Sequence, residues 1–339
     1  MPELPDLVRV ERVLGARIRG RRIGAARTGD PTVLRIMVPE AFPANLIGRV
    51  VTGVERRGHF MRFSLDADLV LVVNAMLVGR YQLMEKERWE ANRRKDPAGL
   101  GFAITFEDGG ELRYLDDKRM GKVYVVRPED EHQIPIYGEL GVDVLSAAFD
   151  RQRFLALCRT RRDQVRMFLM DKRALASIGN AYADEILFAA RIHPKTFVRQ
   201  LRDDDLDRLF VAIGEVLRAA ITEIERRDQP VEVKVRDFLA VRGRDGQPCP
   251  TCGTTIRVVR VGDGDACFCP VCQPAARRLF VDWGRLPGNT PAVPTAAAVT
   301  PGPPASERPP VTSPVGGETT PPRRRSPRSA NRRPGPSGS

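Results

Sequence analysis

Pro2 and Glu3, at the start of the chain, are two residues that can do chemistry together. Removal of Met1 would free the secondary amine of Pro2 beside the carboxylate of Glu3. An α-amino group titrates near ~7.7–8.0 and a lysine near ~10.4, so at neutral pH the terminal amine is the better nucleophile. Its attack on a sugar C1′ would give a charged iminium. The alternative is that Pro2 only follows the start codon and that Pro5 opens a helix at its first turn.

A second candidate site consists of two Cys-x-x-Cys pairs, which are separated by 16 residues. The four residues are Cys249, Cys252, Cys269 and Cys272. This spacing is typical of a structural zinc site, in which four thiolates complete a tetrahedron and leave no position for a reactive water. We therefore expect one structural zinc ion that organises a small β-hairpin. The alternative is four unpaired cysteines without a metal.

A third candidate site is the turn Gly179-Asn180, which directly precedes an apolar-periodic helical segment. Free backbone N–H groups at a helix N-terminus, with an Asn amide beside them, form a good phosphate site. The alternative is an ordinary helix N-cap. Between the cysteine pairs, a predicted strand over 254–261 carries arginines that could also reach phosphate.

The elements that must position these residues indicate an α+β fold. Helical spacing of apolar residues predicts a first helix over Pro5–Ile18, which anchors the N-terminus. Short β-rich runs after Arg22 predict a β-sandwich that carries this helix. The predicted strands are Val50–Val54, His59–Leu65, Leu69–Val73, Gly101–Phe106 and Lys122–Val126. From about Ser146 the period becomes helical, and the predicted helices are Ala147–Thr160, Gln164–Ser177, Asn180–Arg191 and Asp203–Arg227.

Charge and composition point to a polyanionic partner. The formal net charge is +12 with a pI of about 9.9, and about +7 of this charge lies outside the C-terminal tail. Fourteen of the 28 prolines fall between Pro287 and Ser339, so we expect this tail to be disordered. Its arginines could raise non-specific DNA affinity or form only a solvated terminus. The chain has no run of 18 apolar residues and no signal-peptide pattern, which predicts a soluble, intracellular protein without a membrane partner.

Three motifs occurring in order give the chain a specific resemblance. They are Met1–Pro5, the segment Ile178–Glu185 followed by Ile192–Pro194, and the segment Gly243–Cys249. Together they resemble the formamidopyrimidine-DNA glycosylase and endonuclease VIII (Fpg/Nei) family over Met1 to about Gln273. The resemblance implies a catalytic β-sandwich domain at 1–130, a helix-two-turn-helix domain at 146–230, a four-cysteine zinc finger at 240–275 and a disordered tail at 288–339.

The resemblance also implies a function and a set of roles. The chain would be a bifunctional DNA glycosylase and AP lyase of base excision repair, acting on damaged double-stranded DNA whose target nucleotide is flipped out. By similarity, Pro2 would form a Schiff base, Glu3 would act as acid and base, and Asn180 would hold the phosphate beside the lesion. Cleavage of the strand would follow by β-elimination.

Several positions depart from the family pattern. His59 stands where the family has a lysine that contacts phosphate and helps elimination, and a histidine can transfer protons near neutral pH. Asn74 stands for a histidine. Leu77 stands for a methionine that wedges into the DNA, and it remains an apolar wedge.

The segment Asp116–Gly121 departs in a similar way. Lys118 and Met120 stand for an arginine and a phenylalanine that fill the gap left by the flipped base. Met120 remains apolar, whereas Lys118 keeps the charge and loses the bidentate fork of arginine. Arg119, which lies between them, is also expected at the DNA.

Two further departures bear on the outcome of the reaction. Gly264 occupies the position of the zinc-hairpin arginine associated with δ-elimination, and Arg260 is the nearest substitute in the sequence. Cleavage is therefore expected to stop after β-elimination. Only Leu239 to Arg242 stand between Asp237-Phe238 and Gly243, where members specific for 8-oxoguanine carry a longer loop over the flipped purine.

The sequence leaves the lesion class open. The missing loop favours oxidised pyrimidines, abasic sites or a broad specificity over oxidised purines. One alternative function is a non-catalytic module of the same fold that binds damaged DNA, and another is a zinc-ribbon protein that binds RNA. For the enzyme we expect a monomer without an organic cofactor, in the cytoplasm and associated with the nucleoid of a prokaryote.

Overall fold

The structure is a computed structural model that describes residues 2–38, 42–92 and 96–275. The predicted disordered tail at 288–339 lies outside the described residues. The six helices among the described residues are α1 Leu4–Ile18, α2 Lys86–Asn92, α3 Arg151–Arg159, α4 Val165–Met170, α5 Asn180–Ala189 and α6 Asp203–Arg227. None of these helices is long and apolar enough to cross a membrane.

Thirteen strands accompany the helices in the described part of the chain. They are β1 Ile23–Thr28, β2 Leu34–Ile36, β3 Val51–Arg57, β4 Phe60–Leu65, β5 Leu69–Asn74, β6 Arg80–Met84, β7 Leu100–Phe106, β8 Glu111–Leu115, β9 Lys122–Val126, β10 Val142–Asp143, β11 Leu175–Ala176, β12 Arg257–Val261 and β13 Gly264–Phe268. Five of them form one sheet in the order β2-β9-β5-β4-β3, and four form a second in the order β1-β7-β8-β6. The predicted α+β class is therefore confirmed.

The two larger sheets share one apolar core, as expected for a β-sandwich. Phe63 and Leu71 of the first sheet belong to the same buried cluster as Phe102 and Tyr114 of the second. The phenol of Tyr114 stacks on Phe102, with 5.6 Å between the ring centroids. Successive side chains of a strand point to opposite faces of its sheet. Each sheet can therefore turn one apolar face toward the other sheet, and the two faces form a single core.

Helix α1 has two buried faces, and this fixes the N-terminus. Leu7 and Leu14 pack into the core of the sandwich, whereas Leu4 and Val8 pack into the core of the helical region with α3 to α6. Full burial of a leucine or valine side chain contributes about 1.5–3 kcal/mol. Because both sides of α1 are held in this way, the residues just before it lie at the junction of the sandwich and the helices.

One predicted helix is wrong in its second half. The helix expected over Gln164–Ser177 ends at Met170. Asp171 then forms a turn, in which its carbonyl accepts hydrogen bonds from the N–H groups of Ala174 and Leu175. The next two residues, Leu175–Ala176, leave the helical path because they pair in parallel with Val142–Asp143. A long-range strand pair therefore replaces the local helical preference.

Candidate functional site

Pro2 and Glu3 lie at the junction between α1 and α5. Both residues are buried. The backbone N–H of Glu3 donates to Oδ2 of Asp6 at 2.8 Å, and the N–H of Leu4 donates to the carbonyl of Ser177 at 3.2 Å. The first residues of the chain are thus held by hydrogen bonds on both sides.

The Glu3 carboxylate caps the N-terminus of α5. Its Oε1 accepts from the N–H of Ala181 at 3.0 Å, and its Oε2 accepts from the N–H of Tyr182 at 3.1 Å. These two N–H groups have no partner inside the helix, and the helix dipole favours a negative charge at this end. Burial nevertheless raises the pKa of Glu3 above its ordinary value, while the two hydrogen bonds act in the opposite direction. The group is therefore suited to hold and release a proton.

A charged pair supports this arrangement from the other side. The guanidinium of Arg236 donates to both carboxylate oxygens of Asp6, with 2.8 Å from Nη1 to Oδ1. The same guanidinium lies 5.1 Å from the ring centroid of Tyr182, which is a cation–π distance. Asp6 also accepts from the N–H of Glu3 at 2.8 Å. Arg236, which is far away in sequence, therefore helps to position the start of α1.

A narrow cleft opens beside Pro2. Its lining includes Pro2, Asp6, Arg80, Glu232 and Lys234, and its volume is about 20 Å³. This is room for about one water molecule. Pro2 and Asp6 therefore line the same small cleft.

His59, predicted to transfer protons near neutral pH, is buried and is held neutral there. Its ring packs against that of Phe60 in a tilted arrangement, with 4.3 Å between the ring centroids. Burial, together with the nearby ammonium of Lys172, lowers the pKa of His59 to about 3. Lys172 also interacts with the carboxylate of Glu3, which acts to raise the pKa of the lysine against the effect of burial. Lys172 lies on no motif of the sequence, so no signal in the chain would have found it.

Leu77 and Met120 are exposed apolar side chains on two neighbouring loops. Their exposed fractions are 46% and 39%. An ideal Cβ on Gly79 or on Gly121 would clash with the hydroxyl of Tyr114, at 2.3 Å and 1.8 Å, so both loops approach the same buried phenol. The two predicted wedges are therefore brought to one side of the sandwich.

Buried polar side chains shape these loops. Asn74 accepts from the N–H of Met76 at 3.0 Å, and Asp116 accepts from the N–H groups of Lys118 and Gly121 at 3.1 Å and 2.5 Å. Lys118 is exposed on the same loop as Met120. Its neighbour Arg119 is also exposed, and its Nε lies 2.7 Å from Oδ2 of Asp30. Asn74, which stands where the family has a histidine, therefore helps to shape the loop that carries Leu77.

Asn180 lies at the first position of α5 and contacts a buried arginine. The Nη2 group of Arg166 donates to Oδ1 of Asn180 at 2.8 Å. The Nε group of Arg166 donates to Oδ1 of Asp184 at 2.8 Å, and both of these side chains are fully buried. Arg260, the substitute named from the sequence, is exposed on β12, opposite Asp265 on β13.

The four cysteines form a compact donor set. Their Sγ atoms all lie within 4.8 Å of one another, with 3.5 Å between Cys252 and Cys269 and 3.8 Å between Cys249 and Cys272. A Zn–S bond of about 2.3 Å in a tetrahedron places sulfur atoms about 3.8 Å apart, so the four thiolates fit a structural zinc ion. Strands β12 and β13 form the predicted hairpin between the two pairs.

Two carboxylates of α5 anchor the zinc hairpin and the segment before it. Oδ2 of Asp184 accepts from the N–H of Cys267 at 3.0 Å. Both oxygens of Glu185 accept from three consecutive backbone N–H groups, those of Ala240, Val241 and Arg242, at 2.7 to 2.9 Å. Residues 240–242 are thus held against α5.

Family models match most of the chain in three consecutive pieces. The model described as formamidopyrimidine-DNA glycosylase N-terminal domain matches residues 1–123. The H2TH domain of formamidopyrimidine-DNA glycosylase matches residues 140–229, and the zinc finger found in FPG and IleRS matches residues 246–275. The finger match and the four-sulfur geometry together confirm the predicted structural zinc.

Curated relatives and solved structures agree with these matches. The formamidopyrimidine-DNA glycosylase of Symbiobacterium thermophilum is 35% identical over 280 residues, covering 81% of this chain and 90% of the relative. That of Geobacillus kaustophilus is 33% identical over 281 residues, covering 80% and 100%. Lactococcus lactis Fpg, solved in complex with abasic-site DNA, superimposes with a TM-score of 0.72 at 25% identity, covering 81% and 100%. MutM (Fpg) from Thermus thermophilus gives a TM-score of 0.69 at 30% identity, covering 80% and 98%.

Proposed function

The chain belongs to the formamidopyrimidine-DNA glycosylase family, and from that membership we propose that the Pro2 amine is the nucleophile of its reaction. The chain is a DNA glycosylase of base excision repair with AP lyase activity, and damaged DNA is its partner. The observation that carries the proposal is the Glu3 carboxylate, which is held at the N-terminus of α5 beside Pro2.

The first step joins the protein to the sugar. After removal of Met1, the lone pair of the Pro2 nitrogen attacks C1′ of the flipped nucleotide, and the bond from C1′ to the base breaks. The proton of the Pro2 nitrogen passes to the departing base, and the sugar ring then opens as O4′ takes up a second proton. The product is an iminium between Pro2 and C1′, with the former ring oxygen as a hydroxyl.

Glu3 supplies the proton transfers of this step. Its protonated form donates to O4′ as the ring opens, and its carboxylate can then accept a proton in return. The raised pKa favours the protonated form at the start of the cycle. The two N–H groups of α5 stabilise the carboxylate after it has donated the proton.

Strand cleavage follows from the acidity of C2′. The iminium withdraws electrons, so loss of a C2′ proton forms a double bond and expels the 3′ phosphate, which is β-elimination. We propose that the reaction ends there, because Gly264 carries no side chain at the hairpin position that the family associates with the second elimination. The DNA would be held by Asn180 and Arg260, by the wedges Leu77 and Met120, and by the loop residues Lys118 and Arg119. His59 is buried and neutral, whereas Lys172 and Arg236 are cationic groups that act on the carboxylate of Glu3.

We further propose oxidised pyrimidines and abasic sites, or a broad set of oxidised bases, as substrates. The support is the short stretch at 239–242, which is shorter than the loop that members specific for 8-oxoguanine carry there, and whose residues 240–242 are held to α5 by Glu185. A panel of duplexes with different lesions tests this. Release of oxidised pyrimidines at least as fast as of 8-oxoguanine is expected, and a strong preference for 8-oxoguanine would contradict it.

Borohydride trapping on a duplex with an abasic site tests the function. Borohydride reduces the iminium to a stable amine, so the full chain should give a covalent adduct on a denaturing gel. The Pro2→Gly variant should lose most of the adduct, and the Glu3→Gln variant should form it more slowly. Tight binding of the duplex without any adduct in the wild type would instead support the non-catalytic module.

We propose domain bounds of 1–130, 146–230 and 240–275 with a tail at 288–339, and a monomer that needs no organic cofactor. We also propose a cytoplasmic location, which the bacterial relatives support, and an association with the nucleoid. Light scattering of the purified chain, alone and with DNA, tests the monomer, and a dimer would contradict it.

A further inference from the structure

The guanidinium of Arg166 is fully buried at the N-terminus of α5. Besides its bonds to Asp184 and Asn180, its Nη2 group donates to the carbonyl of Asp265 in the zinc hairpin at 3.0 Å. Its Nη1 group has no hydrogen-bond partner among the described residues. A buried donor without a partner has a free-energy cost, so its retention in a functional region needs an explanation.

Arg166 determines which way the Asn180 amide points. A guanidinium can only donate hydrogen bonds, whereas an Asn amide has one accepting and one donating end. The oxygen of Asn180 must therefore face Arg166 at 2.8 Å, and the NH2 group faces away from it. The orientation of an Asn amide is assigned from its hydrogen bonds, and a donor-only partner makes this assignment unambiguous. As a result Asn180 presents a donor, which is what a phosphate oxygen requires.

The zinc hairpin lacks a side chain where Arg166 reaches. An ideal Cβ on Gly264 would lie 3.4 Å from Oδ1 of Asn180 and 3.5 Å from Nη1 of Arg166. At the tip of the hairpin, Gly262 packs so closely on Met167 that a Cβ would come within 2.7 Å of its sulfur. Helix α4 therefore brings the guanidinium of Arg166 to the place that a longer side chain at position 264 would occupy.

We propose that Arg166 is a positioning residue for DNA binding, which fixes the Asn180 amide toward a phosphate and replaces from α4 an arginine that the hairpin lacks at Gly264. The inference rests on the proposed role of Asn180 as a phosphate ligand. Arg166 acts through Asn180 and needs no contact with the reacting atoms.

Arg166→Lys tests the inference, with Arg242→Lys as the matched control. A lysine keeps the charge beside Asp184 but lacks the fork that reaches Asn180 as well. Arg242 contacts the same carboxylate at 2.9 Å and the same Asp265 carbonyl at 2.7 Å, and it donates no hydrogen bond to Asn180. We expect the affinity for a duplex with a tetrahydrofuran abasic analogue to fall about 10-fold in Arg166→Lys and less than about 2-fold in the control.

A double-mutant cycle separates positioning from general destabilisation. If Arg166 acts through Asn180, adding Arg166→Lys to Asn180→Ala should weaken binding by less than about 2-fold. The rate of borohydride trapping at saturating enzyme should be unchanged in Arg166→Lys, because the chemistry is elsewhere. Affinity of Arg166→Lys equal to the wild type, or a full 10-fold further loss in the double variant, would overturn the inference. If Asn180→Ala binds the duplex as tightly as the wild type, both the proposed phosphate role of Asn180 and this inference are wrong. If the wild type gives no trapped adduct, only the proposed chemistry is wrong.

A gain-of-side-chain variant keeps the test independent of how Arg166→Lys folds. The backbone of Gly264 is outside the left-handed region, and an ideal Cβ there would meet no atom closer than 3.4 Å, so the backbone accepts a side chain at this position. We expect Gly264→Arg to change the affinity of the wild type by less than about 3-fold, because a guanidinium already serves that place. In the Arg166→Lys background it should recover most of the loss. A gain in DNA affinity of more than about 10-fold from Gly264→Arg alone would show that Arg166 does not already act at this position.

Discussion

The side chain of Glu3 lies directly against the backbone of Gly179, where an ideal Cβ would come within 2.4 Å of the Glu3 Cδ. Only a residue without a side chain lets the first residues of the chain reach the free N–H groups of α5. The backbone of Gly179 is extended, with φ of −113°, so the requirement is one of space and not of backbone conformation.

Gly179→Ala should therefore displace the Glu3 carboxylate and lower activity. The added methyl group meets Cδ at 2.4 Å and Oε1 at 2.8 Å, which breaks the hydrogen bonds to α5. We expect the rate of Schiff-base formation on an abasic duplex to fall at least about 10-fold. Gly15→Ala in α1 is the control, because its nearest neighbour lies 4.0 Å away, and it should keep full activity and gain up to about 1 kcal/mol of stability. Equal trapping rates for the two variants would contradict the role of Gly179.

Asp6→Asn should destabilise the protein more than the loss of an exposed charge pair. The variant loses one of two charged hydrogen bonds to Arg236 and leaves a half-buried guanidinium underpaired, so we expect the free energy of unfolding to fall by about 1–3 kcal/mol in urea. The control is Asp228→Asn, whose carboxylate pairs with Arg9 but is 87% exposed and should cost less than about 1 kcal/mol. A loss at Asp6 as small as that of the control would show that the pair is not needed.

Burial of His59 should make stability depend on pH. The ordinary pKa of a histidine is 6.5, and burial lowers the pKa of His59 to about 3 in the folded protein. As the pH falls below 6.5 the unfolded chain takes up a proton that the folded chain refuses, so stability is lost between pH 6.5 and about 3, by about 1.4 kcal/mol per pH unit. Between pH 7 and 4, His59→Leu should lose less stability than the wild type, and exposed His132→Leu should behave like the wild type. A folded-state titration of His59 near pH 6.5 by NMR would contradict the burial.

Removal of zinc should separate the finger from the rest of the protein. The buried residues around the cysteines form their own cluster, apart from those of the sandwich and the helices. A chelator, or Cys252→Ser, should release one zinc ion per chain, unfold the hairpin and lower the affinity for the abasic duplex at least about 10-fold. Cys158→Ser lies outside the donor set and should retain the metal. Full DNA affinity after complete loss of zinc would contradict this expectation.

Local patterns in the sequence were sufficient for much of the fold. Helix α6 is observed over Asp203–Arg227, as predicted, because a long apolar stripe and an acidic first turn are local signals. Strand β9 matches its predicted bounds for the same kind of reason. Strand β8 was missed because Glu111 and Arg113 are charged and yet buried, and the burial of Glu111 depends on ion pairs with Arg113 and with Arg27 of β1.

The sequence by itself determined the motifs, namely the Pro2-Glu3 start, the Gly179-Asn180 turn and the four cysteines, because their spacing is set along the chain. Only the tertiary structure decided what surrounds them. It caps α5 with Glu3, buries His59 beside Lys172 and turns the Asn180 amide with Arg166. These contacts join residues from separate elements, and packing chooses among the many partners that such separation allows. The spacing of residues along the chain therefore does not predict which of these long-range contacts form.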